Sequence, residues 1–211
     1  MKGLLLSSFY ASKKSLITYT IIAVLAAIYF AFINPIMVCF LPMIFLLSPV
    51  TDNIKREKDS RWMYFVATLP TGRSTYIKSY LAFYGVLILI GLFIGVVVNL
   101  LINKDFGLTL IAILVGIGGA GTYAMMFPLT FKFGPENSNV IMITTSVIVI
   151  GLFFLVFFGF IMANIASEES FKELANVANN YIVTGIYALF GVSFFVFSYI
   201  SSLKIFDKQE L

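Results

Sequence analysis

Residues 16–50 read LITYTIIAVLAAIYFAFINPIMVCFLPMIFLLSPV, thirty-five positions without one charged side chain. A single helix of that length would extend roughly 50 Å at about 1.5 Å per residue, far beyond a hydrocarbon core of roughly 30 Å. The run therefore has to fold back, and only Asn34-Pro35 interrupts it. Pro35 lacks a backbone donor and biases Asn34 away from helical geometry, so a tight turn between antiparallel spans at 16–33 and 36–50 is the simplest reading. The second run has only fifteen residues, which leaves a re-entrant segment as the alternative. Either way the chain returns to the side it came from.

Outward from this hairpin, apolar runs of span length recur at 81–102, 106–130, 140–165 and 181–203. The expected fold is all-α: a polytopic membrane protein with six transmembrane helices in one transmembrane domain, 1–211. Composition agrees. The chain is 60% apolar and 11% charged, with a mean hydropathy of +1.00, against about half apolar and a quarter charged in soluble domains. The first apolar run is too long for the core of a cleavable signal, so it is read as a span that stays. The single Cys39 cannot form a disulfide within the chain or a cysteine metal cluster, and reads as a small buried hydrophobe.

Six spans leave an N-terminal interfacial segment (1–15), a loop at 51–80, a second at 131–139 and a tail at 204–211 on one face. Of fourteen Lys and Arg, all but Lys104 and Lys172 fall on that face. The positive-inside rule makes it cytoplasmic, with both termini there and 166–180 outside. The net charge of +4 then reports topology and contact with anionic membrane lipid, and calls for no nucleic acid.

The spans exclude several chemistries. All ten carboxylates lie in loops or at termini, whereas ion- and proton-coupled carriers usually hold such groups at mid-membrane. Sodium sites built from backbone carbonyls remain open to such a carrier. With no His in the sequence, a zinc or di-metal site is disfavoured and a Ser-His dyad is excluded. The run Gly116-Ile117-Gly118-Gly119-Ala120-Gly121 satisfies G-x-G-x-x-G, but a dinucleotide fingerprint needs a preceding strand and a soluble helix. Mid-span, it reads as close helix packing through small residues or a local helix weakness; Gly91-x-x-x-Gly95 reads the same way, with a dimer contact as a further reading.

The loop TDNIKREKDSRWMYFVATLPTGRSTYIKSYL, 51–81, is the informative segment. Ser60 can cap a helix in which Trp62, Phe65, Val66 and Leu69 form an apolar stripe, ended by Pro70 and Gly72. One reading is an interfacial helix resting on lipid headgroups. The other is a docking helix whose apolar face enters a groove on a cytoplasmic partner, oriented by Glu57 and Arg61. On the outer side, Ser170 and Glu173 have capping-box spacing, with Phe171, Leu174 and Val177 on one face; a short extracellular helix is expected over 166–180, with a polar linker as the alternative.

An acidic residue, then Trp62, then Leu69-Pro70-Thr71-Gly72-Arg73 and Lys78-Ser79-Tyr80-Leu81 leading into the next span resemble the permeases of type-2 ABC exporters, in the bacterial subfamily of short six-span chains. Phe131-Lys132-Phe133-Gly134-Pro135-Glu136 is similar to the second cytoplasmic loop of that subfamily. The resemblance covers the whole chain in span count, and its local motifs cover about forty residues. It implies a coupling helix over 57–69 that seats on an ATPase subunit, drawing on Glu57, Arg61, Trp62, Phe65 and Leu69 with Arg73 behind them. It also implies a second contact at Phe133, Gly134 and Glu136, and an N-terminal elbow helix, although Ser12 interrupts the apolar face of 1–15.

The chain itself carries no G-x-x-x-x-G-K-[ST] loop. The resemblance therefore places ATP and magnesium in a separate partner ATPase, with no cofactor, no metal and no catalytic residue in this chain. Its further partners would be a second permease chain, identical or different, and an amphipathic peptide substrate. Asn34, Asn99, Thr144, Thr145 and Ser146, scattered among Phe, Leu, Ile and Tyr, are the polar candidates for a substrate cavity suited to amphipathic cargo. Among relatives, the exporters of staphylococcal amphipathic toxin peptides, the phenol-soluble modulins, are similar in size and character; lantibiotic and drug exporters follow. Peptide export or immunity in a bacterial cytoplasmic membrane is the expected role. A non-transporting assembly factor or sensor and an ion-coupled carrier are the rivals.

The twelve-to-two division of basic residues is directly testable. Single cysteines at Ser60 and Ser170 in a Cys39→Ser background, exposed to an impermeant thiol reagent on intact cells, should be labelled only at position 170. Labelling at position 60 overturns the topology.

Overall fold

The structure is a computed structural model that describes residues 2–59, 62, 65, 72–134, 137–161 and 178–208. Its helices are α1 (Lys2–Ile33), α2 (Met37–Asp59), α3 (Gly72–Asn103), α4 (Phe106–Tyr123), α5 (Met126–Phe133), α6 (Ser138–Val156, continued by a π-helical turn at Phe157–Ile161) and α7 (Ala178–Lys208). Among the described residues, six helical stretches are long and apolar enough to cross a membrane, with α4 and α5 together forming the fourth. The docking helix expected from position 60 onward lies outside the described residues apart from Trp62 and Phe65, and so does the external helix apart from Ala178 to Asn180, which open α7.

The turn at Asn34-Pro35 forms as the sequence requires. Asn34 N–H still bonds Phe30 O (2.8 Å), but Pro35 has no proton to donate, and Met37 N–H turns back to Asn34 O (3.0 Å). The Asn34 side-chain oxygen accepts from Ile36 N–H (3.3 Å). The apolar part of α2, Met37–Ile54, has 18 residues and is long and apolar enough to cross. The helix does not end at Val50: the charged stretch that opened the expected loop continues as helix to Asp59, because Asn53, Ile54 and Glu57 face the bundle.

α1 likewise runs unbroken through the segment assigned to an interfacial elbow. Ser12, whose polarity spoiled an amphipathic face, is buried with its hydroxyl donating to Ser8 O (2.6 Å), and Ser8 donates to Leu4 O (3.1 Å). A serine that returns its proton to its own helix can be packed without a foreign partner.

Two spans form the centre. In the most apolar stretches of α2 and α4–α5, 67% and 72% of residues are buried, against 22–28% for the other four. α2 packs on α1 and α3, while α4 packs on α7. Glycines permit this. A Cβ at Gly95 would stand 2.7 Å from Cys39 Cα, and one at Gly91 2.8 Å from Met43 Cα. One at Gly121 would collide with the Gly191 carbonyl, and one at Gly191 would lie 2.6 Å from Gly118 Cα. The G-x-x-x-G pair of α3 is thus occupied within the chain by α2 rather than offered to a second copy.

The fourth span breaks between α4 and α5, just beyond the glycine run for which a local helix weakness is one reading. Pro128 has no N–H for the Ala124 carbonyl four residues earlier and would crowd it. The ladder tightens instead to i→i+3 bonds: Ala124 N–H to Gly121 O (3.2 Å), Met125 N–H to Thr122 O (3.2 Å) and Phe127 N–H to Ala124 O (3.1 Å). Tyr84 of α3 donates its hydroxyl to Ala120 O (2.6 Å), and Ser198 of α7 donates to Ala124 O. Neighbouring helices take up the carbonyls, as an irregular backbone at membrane depth requires.

Glycine substitutions separate packing from propensity. Gly121→Ala should force α4 from α7 and lower the thermal unfolding midpoint in detergent, at a cost of about 1–3 kcal/mol or more. Gly85→Ala and Gly151→Ala, where an added Cβ meets nothing within 4 Å, should be neutral or raise it slightly by helix propensity. Equal behaviour of the three would refute the close-packing account.

Candidate functional site

The coupling candidates lie where α2 and α5 run out of the bundle at the same end. Here the helix ends are tied by polar and aromatic contacts. Asn53 Nδ2 donates to Tyr80 OH (3.0 Å) and to Glu57 Oε1 (3.4 Å), and Tyr76 OH donates to Glu57 Oε2. Tyr76 stacks on Phe206 of α7 with centroids 5.7 Å apart, and Phe206 meets the Phe131 ring of α5 edge-on at 5.5 Å. Four helix ends are therefore locked through one tyrosine and one phenylalanine.

Glu57 was expected to orient a docking helix against a partner. The structure turns it inward to Asn53 and Tyr76, and burial raises its carboxyl above the ordinary value while hydrogen bonds from Tyr76 and Tyr80 lower it. Trp62 also leans on the core, half-buried, with its ring 5.3 Å from that of Phe65. Phe65 is 54% exposed. The two described residues of the stripe thus differ, Trp62 an inward anchor and Phe65 an outward face. Arg61, Leu69 and Glu136 lie outside the described residues, and Arg73 is the second residue of α3.

The second candidate contact is short. Gly134 ends α5 with φ of +84°, a conformation that L side chains rarely adopt. Asn137 N–H bonds Gly134 O (3.2 Å) and its side chain donates to Phe133 O (2.9 Å), which closes the turn into α6. Phe133 is 55% exposed, and the Lys132 ammonium lies 5.3 Å from its ring centroid. A cation beside an exposed aromatic is a surface able to meet acidic or aromatic partner groups.

The five polar cavity candidates do not converge. Asn34 caps the α1–α2 turn at the opposite end. Asn99 is fully buried near that end, where its carbonyl accepts from Asn103 Nδ2 (2.6 Å), which also donates to Ala31 O (3.3 Å) and so holds α3 to α1. Thr144 is exposed on the outside of α6, Thr145 is buried, and Ser146 donates to Tyr123 OH (3.4 Å). Spacing alone could not tell inward from outward positions among three consecutive polar residues. Two hollows are apolar grooves: one of about 460 Å³ among α1, α2 and α3, and one of about 290 Å³ between α6 and α7 lined by Leu152, Val156, Val183, Ile186, Tyr187 and Phe190. Neither contains any of the five.

Among the described residues no group of His, Cys, Asp and Glu could hold a metal ion. What the site can do chemically is present aromatic and cationic surface at one end of a rigid bundle. No curated protein and no solved structure matches the chain. The family model described as ABC-2 family transporter protein matches residues 3–207, nearly the whole of a bundle with six apolar helices, and the chain therefore belongs to the ABC-2 family of transporter proteins, as a multi-pass membrane permease.

Proposed function

We propose that this permease is the membrane subunit of an ATP-driven exporter that moves amphipathic, largely apolar molecules, peptides foremost, out of the bacterial cytoplasm. Two copies, or this chain and a different permease, enclose the path, and cytoplasmic ATPase subunits hydrolyse magnesium-bound ATP. The observation that carries the reading is the pair of exposed aromatics, Phe65 and Phe133, at one end of a bundle whose family is that of ABC-2 transporters. ATPase motion is delivered to these two faces. From Trp62 it passes into the core, and from Phe133 into α5 and its Phe131–Phe206 contact. Such rigid-body transmission shifts the permease between inward and outward states.

Cargo chemistry follows from the spans. No carboxylate lies in their central parts, so a strongly ionic substrate would find no buried countercharge. The apolar groove between α6 and α7 suits shape-tolerant, hydrophobic recognition. Amphipathic toxin or antimicrobial peptides, the cargo of the exporters this chain resembles, have that character.

Phe65→Ala and Phe133→Ala should each weaken ATPase binding by roughly 2 kcal/mol, about thirtyfold, with the thermal midpoint of the permease unchanged. Trp62→Ala, which removes a core contact, should lower that midpoint as well. Wild-type affinity in the Phe65 variant would remove that face from the interface. In reconstituted complexes, amphipathic helical peptides should stimulate ATP hydrolysis more than short polar ones; stimulation by a hydrophilic solute alone would point to a different cargo.

A further inference from the structure

The groove of about 460 Å³ runs along the first half of α1 and is walled by Leu16, Ile17 and Ile21, by Leu46 of α2 and by Phe83 and Val86 of α3. Among the described residues, its wall contains one charged side chain, Lys13. Counting back about 20 residues, the thickness of a hydrocarbon core, from Ile33 places Lys13 at the headgroup boundary. The groove above it, from Leu16 to Ile21, then lies at the depth of acyl chains, and below it Leu5, Leu6 and Phe9 continue the apolar wall. Lys13 thus interrupts an otherwise apolar wall at the level where a phospholipid has its phosphate, with the part from Leu16 to Ile21 at the level of its tail.

We propose that this groove is a binding site for one anionic phospholipid of the leaflet that surrounds the first half of α1. An acyl chain lies against Leu16, Ile17, Leu46, Phe83 and Val86, and the phosphate meets the Lys13 ammonium. The selective element is the position of Lys13 in the wall. Lys14 and Lys78 are exposed near the same end but do not line the groove, so a general attraction of anionic lipid to the basic end would involve them equally. The site depends on neither the cargo nor the ATPase, and its test is separate from theirs.

The purified full-length chain in detergent is mixed with equal amounts of phosphatidylglycerol and phosphatidylcholine of identical acyl chains, and retained lipid is counted by native mass spectrometry. A lysine at a membrane surface favours anionic lipid by about fivefold, the enrichment expected for the wild type. Lys13→Gln should bring the ratio close to one, whereas Lys14→Gln and Lys78→Gln leave it unchanged. Val86→Trp, which fills the slot, should reduce total retained lipid with helix content by circular dichroism unaltered. Unchanged enrichment in the Lys13 variant, or equal losses in all three lysine variants, overturns the proposal. Disulfide-linked dimers of an Ile17→Cys, Cys39→Ser variant in phosphatidylglycerol nanodiscs would also overturn it, since a second copy would then occupy the groove.

Discussion

Helix backbones in this bundle approach one another more closely than a methyl group allows, and everything else in the fold is arranged around that approach. In a membrane, association of helices gains nothing from moving apolar surface out of water, so contact area and backbone proximity carry it. Gly91 and Gly95 admit α2 against α3, and Gly118, Gly121 and Gly191 admit α7 against α4. Because α2 and α4 are each enclosed on several sides, they become the buried centre, and α1, α3, α6 and α7 present their Leu, Ile, Val and Phe to lipid.

Close packing also explains how a broken fourth span survives. The Ala120 carbonyl, and the Ala124 carbonyl with only its tightened bond from Phe127 N–H, would be costly in hydrocarbon without further donors. Tyr84 and Ser198 reach them only because α3 and α7 lie against α4 at that level. The glycine contacts and the kink thus depend on each other: separating α7 from α4 would also take the hydroxyl from Ala124.

The span pattern was legible in the sequence, because apolar length and one Asn-Pro dipeptide express a constraint of the bilayer itself. Where charge begins was a poorer guide to where helix ends. The helix of α2 passes through Asp52, Asn53 and Glu57 because Tyr76 and Tyr80 supply partners from α3, an arrangement a one-dimensional reading cannot foresee. Ser12 misled in the opposite way, since a hydroxyl that bonds its own helix behaves as an apolar surface. The site was legible as residue types more than as directions: the stripe at Trp62 and Phe65 was visible as a spacing, while its division into an anchor and an exposed face was not.

That division bears on how an ATPase could act on the bundle. A stripe that lay wholly on a partner would be held to the membrane domain only by its chain connections, and a push on it would dissipate in them. A stripe with one ring on the core and the next outside is a lever with its fulcrum within the protein. The Glu57–Tyr76 bond and the Tyr76–Phe206–Phe131 stack then connect the end of α2 with α3, α5 and α7. On the proposed reading, displacement at Phe65 reaches those helices together, and the first place it meets a contact that cannot stretch is the glycine-packed centre. Interfaces of that kind hold discrete arrangements better than graded ones, which is what a pump alternating between two open faces requires.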